Sequence, residues 1–184
     1  EVAKATAGKT IALFALPGAF TPTCSAKHVP GYVEHFNALK ASGVDEIWCV
    51  SVNDAFVMGA WAREQKTNGK VRMLADGSAD FTKATGLTLD LTARGMGLRS
   101  NRYSMLIKDG KVAALNIEGP GKFEVSDAGT MLAQAKENVK NGKDRAGLLL
   151  LDDVAFQDKV MKSDTMRELH LNGRHAKITL MSTT

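Results

Sequence analysis

The chain has 184 residues, 44% of them hydrophobic and 24% charged, which suits one soluble globular domain with room for a small appendage. Its apolar runs fall far short of the roughly 18 residues a transmembrane helix needs, and its start lacks the apolar stretch of a secretory signal. The 24 Lys and Arg behind the net charge of +4 are scattered, so no nucleic-acid patch is expected, and two cysteines make no disulfide scaffold.

In chain order, residues 10–16 (TIALFAL) form an apolar run of strand length, ended by Pro17-Gly18. Residues 24–42 are predicted as a helix, with Pro30 as a kink and Gly43 as the stop. Residues 46–52 (EIWCVSV) predict a buried strand, followed by a helix capped by Asn53 or Asp54 and running to about Lys66. A short strand at 71–74 and a short helix capped by Ser78 come next. Residues 103–107 and 112–117 flank Asp109-Gly110, a strong hairpin signal. Ser126 is expected to cap a helix through Lys140. Strands alternating with helices, plus one hairpin, predict an α/β fold with a mixed central sheet flanked by helices on both faces. Composition shifts near Gln134, which divides the chain into a domain at 1–134, a polar linker at 135–146 and a C-terminal extension at 147–184.

The stretch that carries chemistry is Pro17-Gly18-Ala19-Phe20-Thr21-Pro22-Thr23-Cys24-Ser25. It puts Cys24 where a strand has ended and a helix begins. There the unpaired N–H groups and the positive helix end favour a thiolate over a thiol. Thr21 stands three residues earlier and can bring a hydroxyl near the sulfur, while Pro17 and Pro22 stiffen the loop. A buried, inert cysteine is the competing reading, being the commonest fate of a free Cys. His28 follows Cys24 by one helical turn and reads as a packed, hydrogen-bonded histidine before a general base. The cysteines and histidines lack zinc-ligand spacing, and no cofactor is implied.

Pro17, Thr21 and Cys24 fit P-x-x-x-T-x-x-C, the peroxiredoxin signature, and PGAFTPTCS followed by His28-x-Pro30-Gly31 resembles the type II subfamily. The segments 51–57, 70–76 and Arg102-Tyr103-Ser104-Met105 extend the resemblance over residues 8–134. It implies a thioredoxin-like fold and a thiol-dependent peroxidase acting on hydrogen peroxide and small alkyl hydroperoxides. By the same resemblance Cys24 is the peroxidatic cysteine, passing through a sulfenic acid. Thr21 hydrogen-bonds sulfur and peroxide, Pro17 covers the site, and Arg102 supplies the fixed positive charge. Arg99, without the Tyr-Ser-Met context, reads as a surface residue.

Type II enzymes of plants resemble this chain in carrying a second cysteine where Cys49 stands, so Cys49 is a candidate resolving residue. Mammalian relatives resolve from a late loop, which here is Gly121-Lys122-Phe123-Glu124-Val125-Ser126 and has no cysteine. Cys49 sits in a central strand that is costly to open, so an external thiol is expected: glutaredoxin, thioredoxin or glutathione. The resemblance also implies a homodimer. The location expected is cytoplasmic, or organellar if a transit peptide has been removed. The alternatives weighed are a redox sensor of the same fold and a viral packaging ATPase fragment on a peroxiredoxin-like carrier.

Both ends depart from the family. The N-terminal strand usual before TIALFAL is missing, and Gly8-Lys9-Thr10 is no phosphate loop, because Ala3 stands where its first glycine belongs. In the extension, residues 148–153 (LLLLDD) have the form of a Walker B element, and with Asn172-Gly173-Arg174-His175 they resemble DNA-packaging ATPases of poxviruses and giant viruses. A Walker B element without a phosphate loop cannot hold a nucleotide productively, so no ATP binding is expected.

Overall fold

The structure, a computed structural model, describes residues 2–140. Half of the expected linker (141–146) and all of the extension, with LLLLDD and NGRH, lie outside the described residues.

Strand β1 (Thr10–Ala15) is the spine. It runs parallel to β2 (Glu46–Ser51) on one side and antiparallel to β6 (Tyr103–Lys108) on the other. The five-stranded sheet is completed by β3 (Arg72–Ala75) and β7 (Lys111–Ile117), in the order β3-β2-β1-β6-β7. An unbroken apolar strand needs cover on both faces, and β1 has it. Ala12 and Phe14 point into a cluster with Tyr32, Leu39, Trp61 and Met131, while Ile11, Leu13 and Ala15 point into a second with Leu74, Phe81, Leu87 and Met105. The mixed sheet with helices on both faces, of thioredoxin-like type, is therefore as expected.

Helices α2 (Val29–Glu34), α3 (Phe36–Ala41), α4 (Ala55–Glu64) and α6 (Ala128–Lys140) contribute to the first cluster, and α1 (Val2–Thr6) and α5 (Asp80–Thr85) to the second. The single helix expected over 24–42 is divided into three pieces. It opens with a π-turn at Cys24–His28, in which the Val29 N–H reaches back to the Cys24 carbonyl. The widened turn lies just ahead of Pro30, whose ring has no N–H to give. The break falls at His35 and not at Pro30: the backbone leaves helical values there (φ −82°, ψ 4°), with the His35 ring 2.9 Å from the Gly31 carbonyl.

Two caps differ from expectation. Helix α5 is capped by the buried Asp76, which accepts the N–H groups of Phe81 (3.0 Å) and Thr82 (2.9 Å), and not by Ser78. Asp127 caps α6 through Gly129 (2.8 Å) and Thr130 (3.0 Å), releasing Ser126 for another task. The Asp109-Gly110 turn has φ of 47° and 75°, the left-handed pair that joins β6 to β7. A second hairpin, β4 (Thr88–Leu91) with β5 (Gly97–Ser100), was not foreseen; its strands are four residues each and only half-buried, so the periodic signal is weak. Helix α6 continues past Gln134, and Ala135 belongs to the first cluster.

Candidate functional site

Where β1 ends, the chain enters the loop 16–21 at the edge of the first cluster. Its N–H groups at Leu16 and Ala19 are taken by the Val50 carbonyl (3.3 Å) and the Asn53 side chain (2.9 Å). Asn53 also accepts the Ser51 hydroxyl, so a residue expected as a helix cap is instead a tether for this loop, and Asp54 caps α4. The Thr21 carbonyl accepts the Ser25 N–H at 3.0 Å, which makes Thr21 the entry to the turn and places Pro22 in its first position. Cys24 follows within that first turn and is fully buried. Trp61 of α4 donates to the Ser25 hydroxyl at 3.1 Å and holds the turn from outside.

The Thr21 hydroxyl donates to the Gly18 carbonyl at 2.8 Å, which points its hydrogen away and leaves its oxygen able to accept. Pro17 is half-buried at the mouth of the loop. Arg99 is not a plain surface residue: its Nε and Nη1 go to the Met96 and Val52 carbonyls, and it packs where a side chain on Gly18 would stand. A Cβ at Gly18 would stand 3.3 Å from Arg99 Nη1, tighter than ordinary contact.

Arg102, between β5 and β6, reaches the sulfur. Its Nη2 donates to Cys24 Sγ at 3.3 Å, and its Nη1 lies 3.0 Å from His28 Nδ1. The other ring nitrogen of His28 lies 3.1 Å from the Ser126 carbonyl. A carbonyl can only accept, so Nε2 carries the proton and Nδ1 offers its lone pair to the guanidinium. Burial and then the Arg102 charge lower the His28 pKa to about 3, so the ring is neutral. Its lone pair is occupied by Arg102, which removes His28 as a base toward Cys24. Phe14 lies against the ring at 4.7 Å and stacks on Tyr32 at 4.0 Å. From the other side Phe123 approaches both His28 (4.9 Å) and the Arg102 guanidinium (5.6 Å).

Cys49 lies on β2 opposite Phe14, fully buried, and both cysteines are free thiols. Burial, and then the nearby Cys24, push the Cys49 thiol well up, which makes it a poor nucleophile as it stands. Among the described residues no group of three or more His, Cys, Asp or Glu could hold a metal ion.

The structure thus brings together Cys24 and Arg102, and adds His28 and the 119–126 loop, while Thr21 and Pro17 border the same turn. The Redoxin family model matches residues 1–132. Peroxiredoxin-2B of Arabidopsis thaliana is 52% identical over 126 residues, covering 68% of this chain and 78% of its own length. Peroxiredoxin-2C of Oryza sativa is 52% identical over the same length. Both are named peroxiredoxin-2, and with them the chain belongs to the type II peroxiredoxins. Reduced Prx3 of Vibrio vulnificus, solved with hydrogen peroxide, superposes with a TM-score of 0.70 at 55% identity, over 73% of this chain and 85% of its own. As a peroxiredoxin the chain is a thiol-dependent peroxidase, an oxidoreductase that takes peroxide as substrate and a thiol as reductant. Among its described residues no helix is long and apolar enough to cross a membrane, and Peroxiredoxin-2E of Arabidopsis thaliana, 51% identical, is chloroplastic by name.

The sequence reading missed the tether at Asn53, the neutral tautomer of His28, and Glu118, whose carboxylate gathers the loop behind Arg102. The first two depend on hydrogen bonds across long stretches of chain, the third on a loop closing over six to eight residues, and none leaves a periodic trace. The one available signal was an acidic residue immediately after a strand and before a glycine-proline loop.

Proposed function

We propose that Cys24 is the peroxidatic cysteine and that Arg102, Thr21 and Pro17 prepare it for hydrogen peroxide and small alkyl hydroperoxides. The carrying observation is the Arg102 guanidinium, held by His28 at one nitrogen and donating to Cys24 Sγ at 3.3 Å with the other. A fixed charge at the sulfur favours the negative charge that develops on the peroxide oxygens. The thiolate attacks the terminal peroxide oxygen, the O–O bond breaks, and Cys24 becomes a sulfenic acid. The departing alkoxide or hydroxide takes a proton and leaves as alcohol or water. Thr21 accepts a hydrogen bond from the bound peroxide, and Pro17 limits access of bulk water.

An external thiol then attacks the sulfenic sulfur, releasing water and leaving a mixed disulfide, and a second thiol returns Cys24 to its reduced form. The raised Cys49 thiol, inside a strand paired on both sides, supports external over internal resolution. Glutaredoxin, thioredoxin and glutathione are the reductants proposed, in a reducing compartment such as the cytoplasm, where free thiols persist. A homodimer is proposed as well; Phe56 is 89% and Phe20 48% exposed, and Phe20 leans on Trp61 of the helix that carries Phe56. Sedimentation of the purified chain checks that association.

Peroxide consumption driven by each of the three reductants in turn tests the chemistry. Cys24→Ser should lose turnover with all of them, while Cys49→Ser should keep most of it with at least one. Turnover by Cys24→Ser would overturn the assignment, and loss in Cys49→Ser would move resolution into the chain.

A further inference from the structure

We propose that Glu118 is a positioning residue for the peroxide reaction, holding Arg102 on Cys24 through the 119–126 loop and the Ser126 carbonyl. The inference rests on the assignment of Cys24 and Arg102 made above.

Glu118 follows β7 directly and is nearly buried, at 9% exposure. Its Oε1 accepts the N–H groups of Glu124, Val125 and Ser126, each at 2.8 Å, and the Ser126 hydroxyl at 2.9 Å. Four donors converge on one carboxylate oxygen. The loop has little else to hold it, since Gly119, Pro120, Gly121, Lys122, Glu124 and Val125 are exposed. Burial alone would raise the Glu118 pKa, but the three backbone donors and the hydroxyl together lower it, so the carboxylate is charged and acts only as an acceptor.

The hydrogen bonds form a closed ring. Ser126, fastened by Glu118, presents its carbonyl to His28 Nε2 at 3.1 Å and to the Tyr32 hydroxyl at 3.0 Å. That bond sets the tautomer in which His28 Nδ1 can accept from Arg102, whose other nitrogen is on the sulfur. The ring closes through the backbone, because the Glu118 N–H donates to the Arg102 carbonyl at 3.0 Å. Glu118 therefore grips Arg102 at its main chain and, through Ser126 and His28, at its guanidinium. The same loop delivers Phe123 onto both His28 and Arg102. Without the carboxylate the loop can drift, the carbonyl leaves His28, and the guanidinium loses the partner that aims it.

A double-mutant cycle on the full chain tests this, with stopped-flow oxidation of Cys24 by hydrogen peroxide as the readout and thermal melting as the check on folding. Glu118→Ala should slow oxidation about tenfold, and Glu118→Gln, which keeps an acceptor oxygen without the charge, by less. In an Arg102→Ala background Glu118→Ala should add less than about twofold, because the group it aims is gone. Oxidation at the wild-type rate in Glu118→Ala, or equal slowing in both backgrounds, would overturn the proposal while leaving Arg102 in place. An Arg102→Ala chain that reacts at the wild-type rate would instead overturn the assignment of Arg102, and this inference with it. If Glu118→Ala does not fold, the Glu118→Gln cycle decides by the same comparison.

Discussion

At the scale of single residues, the site depends on donors that cannot be exchanged for a bare charge. Arg102 addresses His28 and Cys24 with two nitrogens of one planar group. Arg102→Lys keeps the charge and loses the fork, so about 2 kcal/mol of stabilisation, or about 30-fold in the rate of Cys24 oxidation, should disappear with the fold intact. Stopped-flow oxidation measures it, and a rate equal to wild type would rule out the fork. His28 makes a separate prediction. Its folded pKa of about 3 lies below the unfolded value near 6.5, so the unfolded chain takes up a proton first as the pH falls. The stability that the neutral ring contributes is complete above about pH 6.5 and is lost progressively toward pH 3. Between pH 7 and pH 5 this amounts to about 2 kcal/mol, so urea unfolding of His28→Gln should lose that much less than wild type over the same interval. An identical pH dependence in the two chains would show that the ring titrates normally.

At the scale of elements, the Pro17–Cys24 stretch works because neighbouring elements clamp it. Asn53 holds Ala19 from the end of β2, Trp61 of α4 holds Ser25 just after the stretch, and Arg99 of β5, fixed to the Val52 carbonyl, packs beside Gly18. Space at Gly18 is tight: a Cβ there would stand 3.3 Å from Arg99 Nη1 and 3.3 Å from Thr21 Cγ2. Gly18→Ala must push one of them away by a few tenths of an ångström. Oxidation of Cys24 should slow by about tenfold with the melting temperature nearly unchanged, since misplacement near the reacting atoms costs rate before it costs stability. A large drop in melting temperature with an unchanged rate would show that the loop matters to folding alone. Beneath the site, Phe14 is fully buried against His28 and Tyr32, so Phe14→Ala should cost about 3–5 kcal/mol in urea unfolding.

At the scale of the whole molecule, the residues proposed for the chemistry all precede α6, but α6 itself belongs to the core. Met131 and Ala135 are buried beside Tyr32 and Leu39. Ending the chain after Lys140 should therefore leave Cys24 chemistry within about twofold of the full chain, whereas ending it after Gln134 removes Ala135 and should lower the melting temperature. A folded but inactive chain ended at Lys140 would show that residues 141–184 take part. Calorimetric titration of the full chain with Mg-ATP should register no binding, because LLLLDD has no phosphate loop to accompany it.

What the sequence by itself determined is local. TIALFAL and EIWCVSV announce buried strands, Asp109-Gly110 announces a hairpin, and the contiguous PGAFTPTC puts a thiol at the start of a turn. In each case the residues that set the conformation are the residues that adopt it. Arg102 was legible too, though only through its resemblance to a family motif. The tertiary structure decided the rest, because the partners lie far apart along the chain. Arg102 and Cys24 are 78 residues apart, and His28 and Ser126 are 98 apart. They meet only once β6 and β7 have paired and the 119–126 loop has turned back over α2. The capping assignments failed for a local reason. Ser78 and Ser126 have the right side chains for caps, but Asp76 and Asp127 offer a carboxylate to the same N–H groups, and a charged acceptor wins that competition. Periodicity describes one element at a time, whereas the aim of the guanidinium is set by a ring of hydrogen bonds that no single element contains.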